Sequence, residues 1–153
     1  MASDFCSAFT SKIYPNRQVP DVCGVVGKAP DADLLLLPTQ PASMADKRHV
    51  SKGAESLPEL SEDGWAIFSG SSAAAAQISG AIAVLRQANP RLSPSQAREL
   101  LQASAIDVDR GHSHARFQQE AIAGPDGATG QGVVDVHAAL LRCQLWSLTP
   151  TAC

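Results

Sequence analysis

The chain has 153 residues, of which 44% are hydrophobic, 18% charged and 5% aromatic, with a formal net charge of -3. That is enough for one domain with a real core and too little for two comfortable ones. A weakly negative chain without a long basic run has no electrostatic grip on nucleic acid or an anionic membrane, so neither is expected as a partner.

The first residues, Met1-Ala2-Ser3-Asp4-Phe5, carry neither a basic nor an apolar leader region, so no secretory signal is expected on them. A turn signal at Pro15-Asn16-Arg17 precedes the segment from Val19 to Val26, whose valines favour extended backbone, with Pro20 at a strand start or edge. Asp33-Leu34-Leu35-Leu36-Leu37-Pro38 is too short for a helix and is expected as a buried strand closed by proline. A long polar connection, Thr39 to Asp63, follows; it is broken by Pro41, Gly53 and Pro58 and contains His49. Trp65-Ala66-Ile67-Phe68 reads as another strand, ended by Ser69-Gly70.

Gly64 to Leu85 has no charge, but alanine, serine, glycine and Gln77 make up most of it, which predicts a buried helix rather than a membrane span. Ser71 or Ser72 is expected to cap that helix, and Asn89-Pro90 to end it. Apolar residues fall nearly all round it, predicting burial on most sides. Ser93-Pro94-Ser95-Gln96 starts a second helix to about Ser104, with Ala97, Leu100 and Leu101 on one face and Arg98 and Glu99 on an exposed one. Asp107 to Gly130 is polar, with one helical turn expected near Phe117. Gly132-Val133-Val134 is then extended, and Asp135 caps a helix from Val136 to about Cys143, leaving 144–153 as an irregular tail. His137 is read as structural, and Trp65 and Trp146 as packing residues.

Cys6, Cys23, Cys143 and Cys153 lack the paired spacing of a zinc site, which leaves their redox state open. Asp107, Asp109, His112 and His114 lie close in sequence, but histidine is a poor calcium ligand, and they read as a solvated loop.

The chemistry-bearing unit is a strand, then Ser69-Gly70-Ser71-Ser72, then a helix of small residues. A serine hydroxyl is a weak nucleophile until it is positioned and its proton is taken. The first turn of a helix supplies position, and its free N–H groups stabilise an oxyanion. Gly70 lets a substrate backbone pass close. On these four residues alone, a plain helix cap is the favoured reading.

The run Gly70-Ser71-Ser72-Ala73-Ala74-Ala75-Ala76-Gln77-Ile78-Ser79-Gly80-Ala81-Ile82-Ala83-Val84-Leu85 resembles, without gaps, the subtilase motif G-T-S-M-A-x-P-H-V-A-G-x-x-A-L-L. Three further elements in the same order are similar to that family: Pro20-Asp21-Val22-Cys23-Gly24, Asn89-Pro90 with Leu92-Ser93-Pro94, and Gly130-Gln131-Gly132-Val133-Val134-Asp135. The resemblance implies a serine endopeptidase acting on peptides or proteins through an acyl-enzyme. Ser72 aligns with its nucleophile, and Gly70 and Ser71 with the oxyanion and substrate-backbone support. It also implies an α/β, partial three-layer fold, with the Val19, Leu34 and Trp65 regions in one largely parallel sheet around a central buried helix. No cofactor is expected; calcium occurs in the family, but no site for it stands out here.

Two departures qualify this picture. Ala76 stands where the motif has proline, and neither D-[ST]-G nor H-G-[TH], which carry the family's acid and base, occurs in the sequence. His49, the one histidine before Ser72, sits in Arg48-His49-Val50 without a match. The expectation is therefore a nucleophile-bearing C-terminal portion of a peptidase domain over 1–143, whose N-terminal half is its missing partner. The alternative is an inactive fragment or pseudopeptidase serving as a binding or assembly module.

Overall fold

The computed structural model describes residues 1–27, 35–48 and 63–148. The elements run β1 (Phe9–Thr10), β2 (Gln18–Val19), β3 (Leu35–Pro38), α1 (Met44–Arg48), β4 (Trp65–Phe68), α2 (Ser71–Ala88), α3 (Pro94–Ser104) and α4 (Val136–Leu148). They divide into two compact units, one formed by Met1–Val25 with Ser71–Cys153, the other by Val26–Gly70.

The first unit is built on α2, α3 and α4, which pack on one another. Its core holds Ala81 and Leu85 of α2, Leu92, then Ala97, Leu100 and Leu101 of α3, and Ala139 and Cys143 of α4, with Val22, Ile78, Val134 and Trp146 packed against it. Local chemistry explains why α3 starts where it does. The Ser93 hydroxyl accepts from the Gln96 N–H at 3.2 Å, and the Gln96 side chain accepts from the Ser93 N–H at 2.9 Å, closing a reciprocal cap ahead of Pro94. Asp135 caps α4 through the Ala138 N–H. The chain then stays helical to Leu148, five residues past Cys143 where the sequence pattern ended it, because Trp146 adds a further anchor to the core. Positions 149–153 of the expected tail lie outside the described residues.

Three backbone features complete this unit. β1 and β2 pair antiparallel, Phe9 with Val19 and Thr10 with Gln18, across a turn where Asn16 has φ 60°. Val133 bridges Cys23 on one side in parallel and Ile106 on the other in antiparallel sense, so the Gly132-Val133-Val134 segment is extended as expected. The expected helical turn near Phe117 is also present, its N–H bonded to the His114 carbonyl at 2.8 Å.

In the second unit β3 and β4 pair antiparallel, from Leu35 with Phe68 to Pro38 with Trp65. Asp46 of α1 is buried, and its Oδ2 accepts from the Ala42 N–H at 2.8 Å and the Gly64 N–H at 3.4 Å. Asp33, Leu34, His49 and most of the polar connection lie outside the described residues.

Four expectations are corrected. Among the described residues, the strands of the Val19, Leu35–Pro38 and Trp65 stretches do not form one parallel sheet: they pair antiparallel, in two separate two-stranded sheets. β3 is not buried either, with Leu36 59% exposed, and Trp65 of β4 is 48% exposed rather than packed in a core. Lastly, α2 is not enclosed: only Ala81 and Leu85 are fully buried, while Ala75, Ala76, Ser79, Gly80, Ala83 and Val84 are exposed. The all-round apolar pattern records faces that α3, α4 and the 22–25 segment do not cover. No helix among the described residues is long and apolar enough to cross a membrane.

This packing sets a contrast within α2. Leu85, fully buried, is expected to cost about 2–5 kcal/mol on change to alanine. At Gly80 an added Cβ meets nothing within 4 Å, so Gly80→Ala should stabilise the helix by about 0.5–1 kcal/mol. Denaturant unfolding of both variants measures the two signs.

Candidate active site

Ser71 and Ser72 are the first and second residues of α2, so neither is the residue before the helix that sequence reasoning made a cap. That place belongs to Gly70, whose φ of 127° is a backbone conformation that side chains rarely permit. The Gly70 N–H is bonded to the Val26 carbonyl at 3.2 Å, and the Ser69 hydroxyl donates to the Gly27 carbonyl. The turn before the helix is thereby tied to the chain just after the Pro20-Asp21-Val22-Cys23-Gly24 element.

Both serines are exposed. The Ser72 hydroxyl has no hydrogen-bond partner among the described residues. No acidic side chain occupies the first turn of α2, where the helix presents its positive end. An exposed hydroxyl beside its own backbone N–H on the first turn of a helix is an arrangement that acyl transfer can use. Among the described residues no hydrogen bond joins a histidine to Ser72. His112 and His114 are in the loop after α3, where His114 lies edge-on to Phe117 at 6.2 Å, and His137 is exposed on α4.

The first half of α2 is held from one side by residues 22–25. A Cβ added at Gly24 would lie 2.8 Å from the Ala74 carbonyl oxygen and 2.9 Å from its Cα, so the two backbones meet at a distance only glycine permits. One turn on, the Gln77 side chain takes both backbone groups of Val25: its Oε1 accepts from the N–H at 3.0 Å and its Nε2 donates to the carbonyl at 2.8 Å. Gln77 stands at the motif's histidine position and was not singled out in the sequence. Its signal was a long amide side chain in a helix otherwise made of small residues.

Asp21 fixes the start of the same segment. Its carboxylate receives both guanidinium nitrogens of Arg17, at 2.9 and 2.5 Å, and also Arg98 at 3.1 Å and Gln102 at 3.3 Å from α3. Arg98, expected on a merely exposed face, therefore has a structural task. A cleft of about 410 Å³ lies over Arg17, Asp21, Arg98 and Gln102 and does not include Ser72. The acidic loop residues do not converge: Asp107 accepts from the Gly124 N–H, Asp109 pairs with Arg110, and no group of three or more potential metal ligands occurs among the described residues.

Comparison with known proteins gives a match to the subtilase family over residues 22–132. Among solved structures, a lanthipeptide protease is similar over 76% of this chain and 32% of its own, with 21% identity and a TM-score of 0.54, a likeness of fold. A psychrophilic subtilisin-like protease from the Antarctic psychrotroph Pseudoalteromonas sp. AS-11 matches over 55% of this chain and 17% of its own, with 26% identity and a TM-score of 0.43. The chain thus spans about a third or less of each of these proteins. Curated protein sequences give no match.

The brace on α2 predicts a specific sensitivity. Gly24→Ala should destabilise the first unit by about 1–3 kcal/mol through forced separation from Ala74, and Gln77→Ala by about 1 kcal/mol. Because both act on one contact, the double variant should lose less than the sum, which a double-mutant cycle in denaturant reads directly.

Proposed function

The chain belongs to the subtilase family, and on that premise we propose that it carries the nucleophile segment of a serine endopeptidase. Ser72 attacks the scissile carbonyl and forms the acyl-enzyme, and its own N–H, at the positive end of α2, stabilises the oxyanion. Gly70 leaves room for the substrate backbone and Ser71 supports the same edge. The observation that carries this reading is the exposed Ser72 hydroxyl on the first turn of a helix whose opening half is pinned by Gly24 and Gln77.

The acid and base do not come from a recognisable D-[ST]-G or H-G-[TH] element of these 153 residues. In this reading they are supplied by a complementary N-terminal portion of the domain, which completes the three-layer architecture. Uncovered apolar side chains of the first unit, among them Val84 and Leu145, are consistent with such a partner. Substrates are peptides or proteins.

A second reading, a pseudopeptidase that serves as a binding or assembly module, is favoured by one observation: Ala76 stands where the motif has proline, so the ring that would restrict the backbone behind the serine is missing. An organophosphonate probe separates the two. Ser72 should be labelled when the chain is joined to a portion bearing both missing motifs, with Ser72→Ala abolishing label and lowering peptide hydrolysis about ten-thousand-fold or more. In this reading the chain by itself stays unlabelled, since the base that takes the Ser72 proton comes from the complementary portion. Absence of label in the joined protein would favour the pseudopeptidase.

A further inference from the structure

Cys6 and Cys23 take no part in the reading above, and their surroundings are unusually specific. The turn at 126–130 is closed by mutual backbone bonds between Asp126 and Gly130, at 3.0 and 3.1 Å. The Asp126 carboxylate pins it further, accepting from the N–H groups of Ala128 and Thr129 at 2.8 and 2.7 Å and from the Thr129 hydroxyl at 3.1 Å. Ala128 and Thr129 are buried, and their consecutive carbonyls receive the two thiols: Cys6 Sγ donates to Ala128, and Cys23 Sγ to Thr129 at 3.4 Å.

Both cysteine backbones are held as well. The Cys6 carbonyl accepts from the His114 N–H at 3.0 Å, and Cys23 bonds to Gly132 and Val134 on either side, at 2.8 and 2.9 Å. The β1–β2 pair lies between them in sequence and folds the chain back, and the two thiols reach adjacent carbonyls of the 126–130 turn. Interaction between the two thiols lowers the Cys6 pKa, while interaction with Cys6, burial and the Asp126 charge raise that of Cys23. Both residues are only half-buried and are free thiols here.

We propose that Cys6 and Cys23 form a redox couple that closes into a disulfide by exchange with a low-molecular-weight disulfide. The Cys6 thiolate attacks one sulfur of the small disulfide, whose S–S bond breaks and releases one thiol. Cys23 then attacks the Cys6 sulfur of the mixed disulfide and expels the second. The two protein thiols are oxidised, the small disulfide is reduced to two thiols, and the cysteine protons end on those thiols. The bond ties the N-terminal hairpin to the residue preceding Gly24, and so adds a covalent fixture to the brace on α2. Its formation is independent of any activity of Ser72.

The test uses the full chain, incubated with oxidised glutathione or with dithiothreitol. Oxidation should remove two hydrogens from the intact mass and, after tryptic digestion, join the peptide Met1–Lys12 to the peptide Gln18–Lys28. Closing a loop of this length should raise Tm by about 6–12 °C over the reduced protein. Cys6→Ser and, separately, Cys23→Ser should each abolish crosslink and Tm shift; if either fails to fold, Cys6→Ala provides the same reading. Persistent glutathione adducts on both cysteines, a crosslink through Cys143 or Cys153, or equal Tm in the two conditions would overturn the proposal.

Discussion

The close approach of residues 22–25 to the opening half of α2 is the constraint on which the first unit depends. At Gly24 and Ala74 the backbones meet with no room for a side chain, and Gln77 converts that proximity into a defined register by satisfying both polar groups of Val25. A helix start held this way keeps Ser72 in a fixed place while leaving its hydroxyl uncommitted. A larger residue at either position would separate the backbones and break the amide clasp along with the packing.

The segment that braces α2 is itself held from three directions. Asp21 is gripped by Arg17 from the preceding turn and by Arg98 and Gln102 from α3. Cys23 is bonded to Gly132 and Val134, and Val133 bridges on to Ile106 just past α3. The closing glycine–valine motif therefore acts at a distance in sequence on the serine motif: it holds Cys23, which precedes the glycine that touches Ala74. Four elements recognisable along the sequence turn out to be one connected arrangement. That is why their order and residue types are informative together and weak apart.

The outer surface of α2 belongs to the same account. Small apolar residues at Ala75, Ala76 and Ala83 lie exposed, although the helix composition reads as that of an enclosed one. A sequence records every face that a helix is built to bury. The chain described here covers only the side toward α3, α4 and residues 22–25.

The sequence by itself determined the local events, because each rests on residues a few positions apart. Ser93 with Gln96 and Pro94 start α3, Asp135 starts α4, Trp65–Phe68 forms a strand, and the serine motif opens a helix at Ser71. It also supplied the family, from motifs in phase and in order. Tertiary structure alone decided how the strands pair, that β3 and much of α2 are exposed, that α4 continues to Leu148, and which side chains clasp the serine helix. The physical reason is that pairing sense, burial and the Gln77–Val25 and Arg98–Asp21 bonds depend on which distant segments are present to meet. Periodicity and capping report only what a segment is prepared to do when they are.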